Sequence, residues 1–471
     1  MKKLTDFMIF AIIIYSVTQA HIAEGELETI RINAPSLSNN ILDYKKTQQI
    51  SVYLPPSYNT STMKFPVIYF LPGYGDRIQT FMNGPYYRVK SSMNNLIDSG
   101  DIKEMIFVLI NGVNILKGSF YENSPVTGNW RDFVAKDVVE YIDSNYRTIP
   151  RRESRAICGH SMGGFGAINI AMKEAPTFGL VYLLSPGAFD QNGLEDQGMF
   201  SNTNTIKNYL TKIEEWSQLS REDAIKSYKT YMNSLMIANW LVLFSYAYGA
   251  VFSPDAEGYP PFVKYPYTLV DGQLKCDPLL LQNFENGFGG IKDEVKQYSQ
   301  NLLSLVDITL EYGTKDEFSW IPRGTIYLSD QLKKEGIPHK LNSFNGGHEN
   351  MVTPRIEYYM LPRLSEKLLF DDKEMSMDQS FFLNNKFALY DNYPNPFNPT
   401  TAISFDLAEG TNVKLEVYNE SGQKIKTLIN GFRNQGIHQV IFNGVTLSTG
   451  LYFYCLKTKE KIAVKKMILM K

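Results

Sequence analysis

Residues 157–166 read ICGHSMGGFG and set four glycines around one serine. Glycine gives up the most conformational freedom on ordering, so a cluster of it needs a local cause. Gly159, His160, Ser161, Met162 and Gly163 fit the pattern G-x-S-x-G. The run before them, RAIC (155–158), is short and apolar like a buried strand, and the run after them, GFGAINIAMKEA, is helical in character. A serine between the two sits on a sharp strand-to-helix turn, its oxygen exposed beside the N–H groups that open the helix. Gly159 and Gly163 tolerate the crowding such a turn creates, and Gly164 and Gly166 are expected to let the helix lie close on the sheet. A glycine-rich structural turn is the alternative.

The rest of the first 370 residues supplies a sheet for that turn. QISVYL (49–54), PVIYFL (66–71), MIFVLI (105–110), LVYLL (180–184) and DITLEY (307–312) are short β-branched or aromatic runs ending at or near Gly, Pro or Asp. Their nearly continuous apolar character is that of strands buried on both faces. FVAKDVVEYIDSNY (133–146) carries apolar residues at helical spacing. Alternating strand and helix predicts a parallel sheet covered by helices, an α/β fold. Between Gly187 and Asp307 the alternation stops for about 120 residues, far beyond an ordinary loop. That insert, about 188–306, reads as a helical cap, with Ser220 followed by Asp223 as a helix start and the apolar stretch 235–252 as a buried helix, not a membrane span. Residues 371–386 are a mostly polar linker. From 387 to 471 the apolar period becomes two, as in Ile403, Phe405, Leu407 and Val413, Leu415, Val417, with frequent Asn/Gly/Ser turns. That pattern predicts a small all-β sandwich.

Lys+Arg is 47 against Asp+Glu 49, a net charge of −2, which lacks the basic excess of a nucleic-acid binder. Aromatic residues make up 13%, with 30 Tyr. This suits either pockets for carbohydrate-like or aromatic ligands or sandwich packing. Residues 1–20, MKKLTDFMIFAIIIYSVTQA, have a positive start, a short apolar core and small terminal residues, the pattern of a cleaved export signal. The three cysteines, Cys158, Cys276 and Cys455, are far apart, so no disulfide framework is expected.

A serine exposed on a turn becomes a nucleophile only beside a base. Of the five histidines, His21 lies at the export signal, His438 in the sandwich, His160 on the turn itself pointing elsewhere, and His339 at a strand entry. His348, in the loop NGGHENM after that strand, is the expected base. Its orienting acid should fall between the serine and the histidine in chain order. Asp316 sits just beyond the DITLEY strand, with Glu317 beside it as competitor. For an oxyanion hole the N–H of Met162 is one expected donor, and FLPGYGD (70–76) supplies the other from Tyr74, or from Gly75. Tyr121 and Trp130, flanking SPVTGNW, either line a substrate pocket or pack the loop. No cofactor is expected, and no residue cluster has metal-ligand spacing.

With VYLPPSY, FLPGYGD, SPVTGNW, YIDSNYRT, GHSMGG, GTKD and GGHEN in place, the region from about 30 to 370 resembles the esterase family of α/β-hydrolases that holds esterase D-like, feruloyl-esterase-like and mycolyltransferase-like members. The resemblance puts nucleophile, acid and base on Ser161, Asp316 and His348. It departs at Pro72, where many relatives carry histidine, and at the long insert. NYPNPFNPTT, VYNESGQKI, LSTGLYFYCL and the Lys-rich end KKMILMK resemble the C-terminal sorting domains of the type IX secretion system. Together the two resemblances imply a secreted or cell-surface serine esterase acting on a small-molecule or carbohydrate-linked ester. Its partner would be the type IX machinery, with no nucleic acid and no permanent membrane span. Acyl transfer of the mycolyltransferase type, or a non-catalytic surface binding role on the same scaffold, are the alternatives.

Overall fold

The computed structural model describes residues 24–38, 40–42, 46–83, 88–194, 200, 202–235, 240–370, 387–390, 392, 395–433 and 436–471. The expected export signal (1–20) and polar linker (371–386) lie outside the described residues.

An eight-stranded sheet forms from β1 (Glu26–Asn33), β2 (Thr47–Leu54), β3 (Val67–Leu71), β4 (Ile106–Ile110), β5 (Arg155–His160), β6 (Leu180–Leu184), β7 (Asp307–Gly313) and β8 (Lys340–Phe344), in the order β1-β2-β4-β3-β5-β6-β7-β8. From β4 to β8 all pairs are parallel. β1 pairs antiparallel with β2, and β2 with β4. The sheet is therefore mixed, correcting the all-parallel expectation. β1 reads ELETIRIN, an edge strand whose alternation carries only one fully buried side chain, Ile32. Its apolar signal is correspondingly faint.

Strand alternation divides the interior into two cores. Val67, Tyr69 and Leu71 of β3 face one, while Ile68 and Phe70 face the other. The second core is closed by α1 (Val89–Asp98) through Val89, Met93 and Leu96, and by Val352, Ile356, Met360 and Leu364 from the helical segment that follows β8. The first is closed by α2 (130–145), by α3 (Met162–Lys173) and by the insert. In α2 the run Phe133–Val138 is wound as a π-helix, and Phe133, Val134, Val138 and Ile142 are buried as their spacing predicts. α3 is buried on every side from Met162 to Met172, which makes it the central helix on that face.

The insert is mainly helical: α4 (Thr203–Ser217), α5 (Arg221–Ser234) and α6 (Trp240–Phe252), followed by a short hairpin and three small helices. Ser220 caps α5, its hydroxyl accepting the Asp223 N–H at 3.2 Å. α6 is the buried helix expected from the apolar stretch: Leu243, Phe244, Ala247, Tyr248 and Val251 are each at most 6% exposed. Among the described residues no helix is long and apolar enough to cross a membrane. The residues after 387 form two antiparallel sheets. β9 (Ala388–Leu389), β10 (Thr400–Leu407) and β13 (Gly436–Asn443) make one, in the order β9-β10-β13. β11 (Thr411–Asn419), β12 (Lys424–Arg433), β14 (Gly450–Lys457) and β15 (Ile462–Leu469) make the other, in the order β12-β11-β14-β15. Ile403, Phe405, Leu415, Val417, Tyr454, Leu456, Met467 and Leu469 share a core between them, all fully buried.

Candidate active site

Ser161 stands at the turn between β5 and α3 with φ +57° and ψ −119°, a left-handed conformation that costs a non-glycine residue about 1–3 kcal/mol. The turn is over-determined. Ser161 N–H donates to Leu184 O at 3.0 Å, and its own carbonyl accepts Gly187 N–H at 2.9 Å and Phe165 N–H at 3.1 Å. The glycines fit by close approach. A Cβ on Gly159 would lie 2.1 Å from Gly163 O, and one on Gly163 only 1.8 Å from Leu71 O. A Cβ on Gly164 would crowd Pro186 and lie 3.3 Å from Gly159 O of β5, so this glycine does let the helix lie close on the sheet, whereas one on Gly166 would meet the ring of Tyr121 in a loop.

His348 and Asp316 come together from the loops after β8 and β7. His348 Nδ1 and Asp316 Oδ2 are 2.8 Å apart, and the Asp316 side chain is fully buried. Asp316 Oδ1 accepts the Phe318 N–H at 2.9 Å, which fixes the carboxylate plane. Glu317, the competitor, instead accepts the backbone N–H of His348 at 2.8 Å, and that bond holds its carboxyl below the usual range. The two acids thus divide the work: one orients the ring, the other anchors its backbone. With Nδ1 committed to Asp316, Nε2 is the nitrogen that can take a proton. His339 is spent elsewhere, its ring bonded to Ser329 Oγ at 2.7 Å and Ile337 O at 2.9 Å.

His160 does not point away from the site. Its Nε2 lies 2.9 Å from the carbonyl of His348, and the two rings are 4.7 Å apart. A carbonyl only accepts, so Nε2 carries the hydrogen; burial keeps the ring's pKa well below the ordinary value and hence neutral. This contact joins residues 188 apart, and only the fold reveals it.

The loop after β3 meets the serine from the other side. Gly73 packs against Ser161 Cβ. Gly73 N–H donates to Asp76 Oδ2 at 3.0 Å, and Gly75 N–H donates to Lys117 O at 2.9 Å. Gly75 is therefore spent as a donor. Among the described residues nothing engages the Tyr74 N–H, and that amide, with Met162 N–H at the first turn of α3, remains as the candidate oxyanion pair. Tyr74 itself is fastened by its hydroxyl to Leu116 O at 2.6 Å and by its ring to Phe244 of α6 at 4.9 Å.

Tyr121 and Trp130 are not at a pocket surface. Both are 0% exposed. Trp130 Nε1–H donates to Thr127 O at 2.9 Å and its ring packs on Phe133, while Tyr121 donates to Pro72 O at 3.1 Å. The pocket-lining expectation for these two is corrected: each ring is core, with its polar tip satisfied by a nearby carbonyl. The aromatic side chains that do crowd this end are Phe120, Phe244, Tyr248, Phe252 and Phe288, with Phe120 in edge contact with the other four at 5.2–5.5 Å. The Trp240 side chain lies outside the described residues.

Burial raises the Asp76 carboxyl to about 6; Glu349 adds to the rise, while Gly73 N–H and His348 oppose it. The folded pKa is above the unfolded one, so this group's favourable contribution is complete below about pH 4 and is lost as pH rises through about 6. A rise of that size separates the two protonation states by about 3 kcal/mol. Asp76→Asn keeps an acceptor for Gly73 N–H and removes the charge. It should be more stable than the native chain by about 2–3 kcal/mol at pH 7.5 and nearly equal to it at pH 4. Denaturant midpoints at the two pH values check this, and a difference independent of pH would contradict it.

A mixed sheet with this strand order, a strained serine at the turn after β5 and an Asp–His pair from the loops after β7 and β8 define an α/β-hydrolase fold with a candidate serine nucleophile. Residues 43–230 match the family described as "Putative esterase", and residues 391–470 match the "Secretion system C-terminal sorting domain". The chain thus carries an esterase-family region followed by a sorting domain. The esterase match ends before Asp316 and His348, so geometry alone brings those two residues to the serine's end of the sheet. Among curated proteins, the chain is 32% identical over 129 residues to Esterase Rv1288 of Mycobacterium tuberculosis, covering 26% of each. It is 29% identical over 159 residues to an endo-1,4-beta-xylanase/feruloyl esterase of Xylanibacter ruminicola, covering 32% of this chain and 21% of that one. It is 28% identical over 155 residues to S-formylglutathione hydrolase of Mus musculus, covering 31% and 54%. The chain spans about a quarter of the length of the first of these relatives. A solved ferulic acid esterase aligns with 18% identity and a TM-score of 0.47, over 73% of this chain and 99% of that one.

Proposed function

We propose that the protein is an exported carboxylic ester hydrolase using Ser161, His348 and Asp316. The observation that carries the reading is the 2.8 Å Asp316–His348 pair, placed at the same sheet end as the strained serine. Ser161 Oγ attacks the ester carbonyl as His348 Nε2 takes its proton. Asp316 holds the ring and stabilises the imidazolium. The oxyanion forms against the Tyr74 and Met162 N–H groups. Collapse expels the alcohol, protonated by His348, and leaves an acyl-enzyme. Water, deprotonated by the same nitrogen, then releases the acid and restores the serine. The names of the relatives, feruloyl esterase and S-formylglutathione hydrolase, support an acyl-transfer-to-water reaction on small acyl groups. The sorting domain supports export to the cell surface or medium, with the type IX machinery as partner.

One experiment tests both halves. The full chain and a chain ending at Asn384 are treated with a fluorophosphonate probe and assayed on aryl acetate, butyrate, octanoate and feruloyl esters. Because the two sets of core side chains share no residue, both chains should label at Ser161 and agree in kcat/KM within about twofold. In a host with the machinery, only the full chain should leave the periplasm. No label and no turnover would sink the ester-hydrolase reading, and export of the shortened chain would sink the role of the tail.

A further inference from the structure

The loop after β4 grips the candidate oxyanion loop at successive points. Leu116 O accepts the Tyr74 hydroxyl at 2.6 Å, Lys117 O accepts Gly75 N–H at 2.9 Å, and Tyr121 Oη donates to Pro72 O at 3.1 Å. Gly118 has no room for a side chain: its Cβ would lie 2.3 Å from the Tyr74 ring and 2.8 Å from Met162 Sδ. Both candidate oxyanion residues are therefore packed under one loop.

That loop is strained. Lys117, Phe120 and Tyr121 have φ of +66°, +51° and +50°. Left-handed non-glycine residues persist only where the surroundings over-determine them. Here the consecutive pair sends neighbouring rings to different destinations. Phe120 enters the aromatic cluster of the insert, while the Tyr121 ring fills the space over Gly112 and Gly166 and its hydroxyl reaches Pro72.

Pro72 has no N–H, so its carbonyl is its one backbone handle. In a trans peptide the C=O and the following N–H point opposite ways. Fixing Pro72 O therefore fixes Gly73 N–H, which is found on Asp76 Oδ2. The next peptide is held in the same manner: Gly73 O accepts Asp76 N–H at 3.3 Å, which turns the Tyr74 N–H to the other side.

We propose that Tyr121 is a positioning residue for the reaction: its hydroxyl, by holding Pro72 O, sets the direction of the Tyr74 amide that receives the oxyanion. The proposal rests on the ester-hydrolase reading above. Tyr121 does not touch the substrate; it acts through two peptide planes.

Tyr121→Phe removes the hydroxyl and keeps the ring that Gly112 and Gly166 accommodate. A donor lost outright from an oxyanion hole costs about 10²–10³ in kcat; a donor left in place but mis-aimed should cost about 10- to 100-fold. The full-length Y121F chain should therefore lose about that factor in kcat on an aryl acetate, with KM within about twofold. The acid limb of its pH–rate profile should be unmoved, since Asp316 and His348 are untouched. Its fluorophosphonate labelling should slow in parallel with kcat, because the phosphonyl oxygen uses the same amides. With an active native chain, Y121F within twofold in kcat overturns the positioning role, whether or not its melting temperature falls. A shifted acid limb, or a loss carried by KM, also overturns it. A native chain that neither turns over esters nor takes the probe overturns the ester-hydrolase reading, and the positioning role with it.

Discussion

Ser161→Ala and His348→Ala should each lower kcat by about 10⁴- to 10⁶-fold, the range expected if the two side chains act as a unit of nucleophile and base. The double variant should fall little further. Folding should survive both changes, because alanine at 161 keeps the backbone bonds to Leu184, Gly187 and Phe165 that pin the turn. Asp316→Asn should cost about 10⁴-fold by leaving the ring in the wrong tautomer. Glu317→Gln should cost far less, since Glu317 holds the His348 backbone N–H and not the ring. His339→Ala should leave turnover unchanged, its ring being committed to Ser329 and Ile337. Steady-state kinetics with matched thermal melts make the comparison. An inactive H339A beside an active H348A would overturn the assignment of the base.

Gly163→Ala should have the largest effect on stability. Helix propensity alone favours alanine over glycine in a helix interior by about 1 kcal/mol. Packing opposes it. The new Cβ would sit 1.8 Å from Leu71 O, 2.5 Å from Leu71 C and 2.7 Å from Pro72 O. These are backbone atoms at the end of β3, where Leu71 pairs with Gly159 of β5, so no flexible side chain can yield. Overpacking of a core costs about 1–3 kcal/mol when side chains can adjust. Against fixed backbone the cost should exceed about 4 kcal/mol, or the chain should fail to fold. Gly75→Ala serves as the contrast, with nothing within 4 Å of its Cβ and only the penalty of its φ of +82°. Urea denaturation distinguishes them, and a G163A chain as stable as the native one would refute the steric account.

What the sequence could reveal depended on how local the signal was. The serine turn announces itself within ten residues. His348 emerges because histidines are few, although the elimination misplaced His160, whose ring packs 4.7 Å from that of His348. Asp316 emerges from chain order and a strand end, but its advantage over Glu317 needs the 2.8 Å contact with the ring. Tyr74 and Gly75 are inseparable until Lys117 O, far downstream in the chain, is found to occupy the glycine N–H. Tyr121 and Trp130 lie at the expected sheet end, yet position along a chain does not tell which way a ring turns. Two left-handed residues in succession, Phe120 and Tyr121, undo any alternation counted through the loop. The antiparallel edge was faint for a similar reason, since β1 buries too little to stand out.

The last strand carries a consequence of its own. β15 pairs with β14 along its whole length, from Ile462 to Leu469, and Phe397 N–H and O both bond to the backbone at its end, on the other side. Met467 and Leu469 are 0% exposed. The carboxyl end of the chain is thus a stave of the wall around that core, not a label trailing behind it. Cutting away the final ten residues would not trim a tag; it would unzip the sandwich and expose Tyr454 and Leu456. Anything that approaches this strand meets a folded, paired surface and not a loose tail.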